Sequence, residues 1–387
     1  LGGAVARVSH DLRNILTSAQ LFADRLETSA DPTVARMAPK LVRSITRVDE
    51  SLLAGSSVRF VGTATAGIDH FDIEAIERLG IKWASAPGSN AISVVEYVLS
   101  ALALADWLRT LMKGSAIGLV GLGEVGKRLA QRLMSLGCSV VGHDPLYQHW
   151  PAGVVRADLA EVLRQPVVSL HASLHDKSPH GSRAMIDTEQ AEMMVSALHS
   201  RQEGGLFINA GRGELMTQGA LEILLDSAWS VVLDTWPGEP VLKSKELSRC
   251  DWVSPHIAGH SAQARARGSD MLATAISHWS GLSDSVESAS QKITGSGAVF
   301  FDEYSGGQAP DDPANWATQF LSARAVLARE DDRMRSGCAT GLSASDFDGL
   351  RKSYEQPDEW TGREIKMPYA SATVCQLAAD LGLKVTP

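Results

Sequence analysis

The sequence predicts an α/β fold with a mostly parallel, doubly wound sheet, and two observations carry this prediction. From residue 58 onward, short apolar runs with strand character alternate with amphipathic segments of helical spacing. This order is typical of parallel sheets that are covered by helices on both faces. In addition, the stretch from 115 to 145 runs through strand, glycine turn, helix and second strand, as nucleotide-binding βαβ units do.

The glycine turn in this stretch predicts a dinucleotide site. Gly121, Gly123 and Gly126 follow the apolar strand Ala116 to Val120 with the spacing G-x-G-x-x-G. The first glycine permits a tight turn, the second lets the backbone approach a pyrophosphate, and the third lets the helix pack close to the strand. Asp144 ends the second strand, 18 residues beyond Gly126. A carboxylate there binds the adenosine ribose hydroxyls and repels a 2′-phosphate, so the pattern favours NAD over NADP.

Composition and charge exclude several classes of protein. The 387 residues are enough for two or three domains, and 44% hydrophobic with 21% charged residues argues against disorder. A net charge of −9 offers no basic surface for nucleic acid or an anionic membrane, and no apolar run approaches the roughly 18 residues of a membrane span. We expect neither partner. The cysteines lack C-x-x-C spacing, which is typical of reduced thiols in a soluble cytoplasmic protein. No histidine has metal-ligand spacing, so we predict no metal.

Residues 1–47 differ in character from the rest of the chain. Two amphipathic helical segments are separated by a turn at Asp31-Pro32, which predicts a helical hairpin. The string S-H-D-L-R-N, from Ser9 to Asn14, resembles the phosphoacceptor box of histidine-kinase dimerisation helices, in which His10 would be exposed and phosphorylated. No ATP-binding domain or asparagine box follows, so we expect no kinase activity. An inert hairpin is the alternative.

The following segments continue the α/β pattern. Val58 to Gly67 predicts a strand and a turn of small residues, Ile81 to Ala84 a second strand, and Ala91 to Trp107 one long apolar helix. Leu206 to Asn209 and Val231 to Leu233 predict two further strands. The Gly/Ser/Asp/Pro-rich stretch from about Thr294 to Pro313 predicts a linker or loop region.

Several strings together resemble the D-2-hydroxyacid dehydrogenase superfamily and, within it, the erythronate-4-phosphate dehydrogenase family of vitamin B6 synthesis. Besides the glycine turn, they are GTATAGIDH (62–70), APGSNAISVVEY (86–97), INAGRG (208–213), VVLDTWPGE (231–239) and PHIAG (255–259). The resemblance covers roughly 41–285. It resumes at FDGLRKSYE (347–355) and at 371–385, which are similar to that family's small dimerisation domain.

This resemblance implies four parts and a homodimer. Residues 1–47 would form the kinase-like hairpin, and 48–92, completed by about 262–285, an incomplete flavodoxin-like substrate domain. Residues 93–261 would form a Rossmann-type NAD domain, and 286–387 the linker and a small α+β C-terminal dimerisation domain. The family string L-V-R-S-I-T-R-V is present at 41–48, but the hairpin stands where the family has its first strand and helix. Unless something replaces that strand, we expect an exposed sheet edge and an uncovered apolar face.

Three residues in strand-end turns are candidates for the chemistry. Oxidising a 2-hydroxy acid requires a cation for the carboxylate, a base for the hydroxyl proton and an acid that orients the base. Arg212 lies in a glycine turn after a strand and can grip a carboxylate bidentately. His256 follows a short strand, and Glu239, 17 residues earlier, can fix its tautomer for general acid–base work. By resemblance, these residues fill the family's three catalytic roles.

The resemblance also implies binding residues. Those for the cofactor are Gly121, Gly123, Glu124, Val125, Gly126, Asp144, Ala210, Gly211, Arg212, Asp234 and Gly259, with Asp234 bonded to the nicotinamide amide; strand-end capping is its alternative role. Ser44, Thr65 and His260 would contact a small phosphorylated 2-hydroxy acid, and a turn-stabilising hydroxyl is the alternative for Thr65. Two positions depart from the family. His260 stands in place of a substrate-contacting Tyr, and Ala172 in place of a Thr that bonds the cofactor.

The leading hypothesis is therefore NAD-dependent oxidation of 4-phosphoerythronate to 2-oxo-3-hydroxy-4-phosphobutanoate in pyridoxal 5′-phosphate biosynthesis. A second hypothesis keeps the chemistry but changes the substrate to another D-2-hydroxy acid, for example glycerate. A third, from a different class, is a signalling or structural fusion in which the dehydrogenase body is vestigial.

Overall fold

The computed structural model describes residues 48–176, 178–281, 300–301, 312–336, 341–367 and 370–386. The predicted hairpin with His10, and Ser44, lie outside these residues. The chain divides into two compact units. The small unit consists of residues 1–90 and 265–295, and the large unit consists of 91–264 and 296–387.

The described part of the small unit contains two short parallel strands. Its elements are α1 (Glu50–Leu53), β1 (Phe60–Gly62), α2 (Ile73–Arg78) and β2 (Lys82–Ala84). Phe60 pairs with Lys82 and Gly62 with Ala84. Helix α2 begins at Asp72, whose carboxylate accepts the N–H of Ala75 at 3.0 Å and so satisfies one donor of the first turn.

Helix α10 (Ala262–Ser280) packs tightly on β1 and the turn that follows it. A Cβ added to Gly62 would lie 2.3 Å from Leu272 Cδ1, and a Cβ added to Gly268 would lie 2.2 Å from the carbonyl oxygen of Ala64. Gly268 is therefore required because the helix approaches backbone there, whereas at Gly62 the obstacle is a leucine side chain that could move.

The large unit is built on a seven-stranded, wholly parallel sheet in the order β5-β4-β3-β6-β7-β8-β9. These strands are β3 (Ala116–Val120), β4 (Ser139–His143), β5 (Val155–Arg156), β6 (Val167–Leu170), β7 (Gly205–Asn209), β8 (Trp229–Leu233) and β9 (Trp252–Val253). The strand order reverses direction between β3 and β6, which is the topological switch point of doubly wound folds. The predicted α/β fold is confirmed.

Helices cover both faces of this sheet. They are α3 (Ala91–Leu104), α4 (Leu108–Met112), α5 (Glu124–Ser135), α6 (Leu159–Leu163), α7 (Thr188–Arg201), α8 (Gln218–Leu225) and α9 (Ser244–Arg249). Along β3, Ile117 and Leu119 belong to one buried cluster and Val120 to another, because alternate side chains of a strand point to opposite faces. The continuous apolar runs in the sequence thus correspond to strands that are buried on both sides.

The C-terminal part of the large unit adds four helices and a small sheet. The helices are α11 (Pro313–Ala323), α12 (Val326–Ser336), α13 (Ala344–Lys352) and α14 (Ala372–Asp380). The strands β10 (Phe300–Phe301), β11 (Glu364–Lys366) and β12 (Lys384–Thr386) pair in parallel in that order. Trp316 and Leu321 of α11 share a buried cluster with Leu99 of α3, so these helices pack on the sheet's outer layer.

One prediction about the bounds of an element was wrong. The helix expected over Ala91 to Trp107 ends at Leu104, because Asp106 adopts a left-handed conformation with φ of 58°. The stretch from about Thr294 to Pro313, expected to be a linker or loop region, lies mostly outside the described residues; those that are described include strand β10, which pairs with Ile365 and Lys366. Pairing with a strand more than sixty residues later leaves no local signal in the sequence.

Candidate active site

The turns after β7, β8 and β9 lie side by side at one edge of the large sheet. Asn209 at the end of β7 pairs with Leu233 at the end of β8, and Leu233 pairs with Val253 of β9. Since all three strands are parallel, their carboxyl ends meet at the same edge, where ligands bind in open α/β sheets. These turns carry Arg212, Glu239 and His256.

His256 and Glu239 form a hydrogen-bonded pair. The distance from His256 Nδ1 to Glu239 Oε1 is 2.6 Å, and the two side chains are 28% and 21% exposed. A carboxylate oxygen only accepts, so Nδ1 carries the hydrogen and Nε2 of the neutral ring is left to accept a proton. The second Glu239 oxygen accepts the N–H of Trp236 at 3.0 Å, which holds the carboxylate in place.

The surroundings of Glu239 keep it ionised. Burial by itself would raise the pKa of this carboxyl, but the hydrogen bond and charge of His256, the Trp236 N–H and the charge of Arg351 outweigh burial and lower the pKa below its ordinary value. An ionised Glu239 can stabilise a positive imidazolium at His256, so the pair is suited to take up a proton.

The backbone at His256 is held in an unfavourable conformation by Asp234. His256 has φ of 58°, a region that L-residues adopt at a cost of about 1 kcal/mol or more. The buried Asp234 carboxylate accepts the Ser254 hydroxyl at 2.6 Å and the N–H groups of Ile257 and Ala258 at 2.8 and 3.0 Å. Asp234 therefore braces the loop that presents His256. Its predicted bond to the nicotinamide amide stays a prediction.

Sequence reasoning missed further braces of this loop. The Tyr97 hydroxyl lies 2.7 Å from the Ser254 hydroxyl, and Trp236 Nε1 donates to the Ser254 carbonyl at 3.1 Å. Tyr97 lies on α3, 157 residues earlier in the chain, and nothing in the local pattern distinguishes it from other residues of an apolar helix. Of these residues, only Ser254 could have been identified from the sequence, because it follows a strand directly and lies near the histidine.

Arg212 lies in a turn that Asn209 closes. The Asn209 side chain donates to the Arg212 carbonyl at 3.0 Å and accepts the Gly211 N–H at 3.1 Å. A Cβ added to Gly213 would lie 1.9 Å from the Trp236 carbonyl oxygen, so this turn contacts the turn that leads to Glu239. The structure thus brings the Arg212 turn and the Glu239 turn together at the strand ends.

The glycine turn forms a cradle with one open position. Gly121 has φ of 91°, and a Cβ on Gly126 would lie 2.0 Å from the Gly121 carbonyl oxygen. Around Gly123, in contrast, no described atom lies within 4 Å of an added Cβ. Gly123 also precedes α5 and supplies no side-chain cap, so the first N–H groups of α5 are available to an anion. These features fit a dinucleotide pyrophosphate.

Asp144 fastens this turn and borders a cavity. Its carboxylate accepts the N–H of Leu122 at 2.7 Å and of Leu146 at 3.0 Å. A cavity of about 440 Å³ beside it is lined by Gly121, Asp144 and Ala172, among others. Ala172 thus lies next to the space that the adenosine half of a dinucleotide would fill, and it offers no side-chain hydrogen bond there.

The remaining predicted site residues take varied positions. Glu124 pairs with Lys127 and Arg128 at 2.5 Å, which neutralises its charge at the start of α5. In the small unit, the Thr65 hydroxyl donates to the Gly67 carbonyl at 2.8 Å, the turn-stabilising contact that was its alternative role. The His260 ring lies 6.4 Å from that of Tyr354. Val125 lies in the first turn of α5, Ala210 and Gly211 lie in the turn after β7, and Gly259 lies in the histidine loop.

The described part of the chain shows neither a metal site nor a membrane-spanning helix. Within it, no group of three or more His, Cys, Asp or Glu side chains is placed to hold a metal ion. No helix among the same residues is both long and apolar enough to cross a membrane.

Comparison with known proteins agrees with this geometry. The family model for the D-isomer specific 2-hydroxyacid dehydrogenase NAD binding domain matches residues 102–258. The erythronate-4-phosphate dehydrogenase of Marinomonas sp. (strain MWYL1) is 34% identical over 349 residues, which are 89% of this chain and 88% of that protein. The protein of the same name from Yersinia enterocolitica is 36% identical over 353 residues, 88% of each chain.

Solved structures share the fold at lower identity. A glyoxylate reductase from Paecilomyes thermophila has a TM-score of 0.51 and 20% identity, and the match covers 64% of this chain and 80% of that one. The TT0316 protein from Thermus thermophilus has a TM-score of 0.50 and 23% identity, with 59% and 78% covered. These structures support the doubly wound fold.

Proposed function

The chain belongs to the erythronate-4-phosphate dehydrogenase family of NAD-dependent D-2-hydroxyacid dehydrogenases, and from this premise we propose that it oxidises 4-phosphoerythronate at C2 with NAD. The product is 2-oxo-3-hydroxy-4-phosphobutanoate, and the reaction serves pyridoxal 5′-phosphate biosynthesis. The observation that carries the proposal is the 2.6 Å His256–Glu239 pair, which lies on strand-end turns beside the turn of Arg212.

The proposed chemistry assigns one task to each of these side chains. Arg212 binds the substrate carboxylate through two parallel N–H···O bonds. Nε2 of His256 accepts the proton of the C2 hydroxyl as the C2–O bond becomes a carbonyl. Glu239, ionised beside it, stabilises the resulting imidazolium and keeps the ring oriented. NAD, when bound, accepts the hydride that leaves C2, so the proton and the electron pair are both accounted for.

The proposed cofactor contacts follow from the shape of the glycine turn at Gly121, Gly123 and Gly126. The backbone of Gly123, Glu124 and Val125 would meet the pyrophosphate at the start of α5, where the helix dipole favours negative charge. Asp144 would accept hydrogen bonds from the adenosine ribose hydroxyls, which agrees with its place beside the 440 Å³ cavity.

The finer assignments are also proposals. Ser44, Thr65 and His260 are proposed contacts of the phosphorylated acid, and the C-terminal segment is the proposed dimerisation element of a homodimer. We place the reaction in the cytoplasm. In support, Cys138, Cys250 and Cys375 are free thiols, as expected in a reducing compartment, and the cofactor is an intracellular one.

The test is NADH formation by purified protein with NAD and a panel of acids comprising 4-phosphoerythronate, erythronate, glycerate and 3-phosphoglycerate. We expect the highest kcat/KM with 4-phosphoerythronate. His256→Gln should lower kcat/KM about 1000-fold, because general-base catalysis is lost, while NADH affinity stays unchanged. His199→Gln is the matched control, since this exposed histidine ends α7 at the opposite edge of the sheet.

Two outcomes would contradict the proposal. A higher kcat/KM with another acid of the panel would keep the chemistry and reassign the substrate. Binding of NADH without turnover of any acid would point to a vestigial dehydrogenase body.

A further inference from the structure

The C-terminal segment is fastened beside the turn that carries Glu239. Leu342 and Leu242 exchange backbone hydrogen bonds of 2.9 and 3.0 Å in an antiparallel bridge. A Cβ added to Gly341 would lie 2.4 Å from the Leu242 carbonyl oxygen, so the two chain segments touch. Leu242 is three residues beyond Glu239 in the sequence. Helix α13 therefore starts next to the catalytic pair.

Packing fixes the direction of α13. Phe347, which is fully buried, and Leu350 belong to the same apolar cluster as Trp236 and Leu242. Trp236 donates its backbone N–H to Glu239. The helix thus packs into the same apolar cluster as Trp236, whose N–H holds Glu239, and its last turn contains Arg351.

Arg351 is exceptional among the arginines of this region. Arg329, Arg333 and Arg335 all form ion pairs, with Glu330, Glu355 or Asp331. Among the described residues, in contrast, the Arg351 side chain forms no ion pair, and its Nε is buried without a hydrogen-bond partner. A guanidinium nitrogen that is removed from water and left without an acceptor costs stability, which suggests that a ligand completes it.

The charge of Arg351 reaches the catalytic pair. It is one of the influences that lower the pKa of Glu239, so the guanidinium lies within electrostatic range of that carboxylate. Three residues later, the Tyr354 ring lies 6.4 Å from that of His260, a proposed substrate contact. One short segment therefore approaches both sides of the histidine loop.

We propose that Arg351 binds the phosphate group of the substrate and thereby selects phosphorylated over unphosphorylated 2-hydroxy acids. This inference rests on the proposed function. Arg212 is assigned to the carboxylate, and the hydroxyls of Ser44 and Thr65 carry no charge that could balance a phosphate dianion. A guanidinium with an unused buried N–H beside the reacting pair supplies both the charge and the bidentate geometry that phosphate recognition uses.

The test compares two substrates and three variants: two that each remove one positive charge, at Arg351 or at Lys352, and one that keeps the charge at Arg351. Arg351→Gln should raise KM for 4-phosphoerythronate on the order of 30-fold, as expected for loss of charge-assisted hydrogen bonds, and change kcat/KM for erythronate less than about 2-fold. Lys352→Gln, the exposed neighbour on α13, is the control and should change neither value. The KM of Arg351→Lys for 4-phosphoerythronate should lie between those of the wild type and Arg351→Gln, because lysine keeps the positive charge but lacks the planar pair of N–H donors.

An equal loss with both substrates would show that Arg351 acts only by positioning Glu239 and would overturn the proposal. NADH affinity and melting temperature establish that each variant is folded. Titration calorimetry of 4-phosphoerythronate into the NADH complex keeps the two proposals separate. A wild-type protein that binds the acid without oxidising it contradicts the proposed function alone. Equal affinity of wild type and Arg351→Gln contradicts the role of Arg351 alone.

Discussion

The two units of the molecule differ sharply in how much apolar surface they bury. In the large unit, two extensive clusters of buried side chains cover both faces of a seven-stranded sheet. In the described part of the small unit, the buried cluster consists of Leu53, Ile76 and Ile81, and only two strands pair. The large unit thus has a core sufficient for a cofactor-binding fold, whereas the small unit depends on few contacts.

In the small unit, the long helix α10 partly makes up for the small buried cluster. Four of the seven large apolar side chains that are exposed in the described chain belong to it, namely Leu52, Val58, Met271 and Trp279. The Trp279 ring nevertheless lies 5.1 Å from that of Phe60, and Arg59 lies over it at 5.9 Å. Helix α10 therefore covers part of the apolar surface around Phe60, and the apolar face expected to be uncovered stays a prediction. The expectation of an exposed sheet edge stays a prediction.

The largest expected effect comes from matched cavity mutations, one in each unit. Leu119→Ala in β3 and Ile76→Ala in α2 each empty a fully buried aliphatic site. Each should lower the free energy of unfolding of its own unit by about 3 kcal/mol. Because the described part of the small unit has few other buried apolar side chains, Ile76→Ala should abolish turnover while NADH binding survives, whereas Leu119→Ala should weaken NADH binding. Calorimetry and NADH fluorescence measure both effects.

The wild-type protein is the reference for these scans, and the two variants serve as controls for each other. A single melting transition that shifts equally in both variants would show that the units unfold as one, and the contrast would then have no thermodynamic meaning.

Two glycines of the cradle provide a test within the large unit. Gly126→Ala places a Cβ 2.0 Å from a backbone oxygen and should cost about 2–3 kcal/mol of stability through overpacking. Gly123→Ala meets no described atom within 4 Å, so it should fold normally and bind NADH about 10-fold more weakly, since its methyl group would face the pyrophosphate. Urea unfolding and NADH titration separate the two effects. Unchanged NADH affinity in Gly123→Ala would argue against the proposed placement of the cofactor.

The smallest expected effect is a pH dependence that belongs to the large unit. Burial raises the pKa of Glu96 on α3 to about 8, although its carboxylate accepts the N–H groups of Trp360 and Thr361. Between about pH 4.5 and pH 8 the folded state therefore holds a proton that the unfolded chain releases, and stability falls as pH rises through this range.

The melting temperature of the large unit should consequently drop by roughly 5 °C between pH 6 and pH 8.5. Glu96→Gln, which cannot ionise, should flatten this slope whatever its effect on absolute stability. A slope that is unchanged in the variant would assign the pH dependence to another group.

Local sequence determined the cofactor half of this protein and predicted the groups that we propose react with the substrate. The strand Ala116–Val120, the glycine spacing and Asp144 are detectable because each depends on neighbours within about twenty residues. Strand periodicity and turn chemistry act over such distances, so a short window of sequence contains the physical cause. Arg212, Glu239 and His256 were predicted from the resemblance of their strings to those of a family.

Tertiary structure alone decided how those groups are held. Tyr97 reaches Ser254 across 157 residues, Asp234 turns its carboxylate inward to brace the loop, and Arg351 approaches Glu239 from the far end of the chain. Each of these side chains looks ordinary in its own segment. Its role arises because it is buried and because the packed fold brings a distant partner close to it. In the low dielectric of the interior, one charge, paired or unpaired, changes the pKa values and hydrogen bonding of the site.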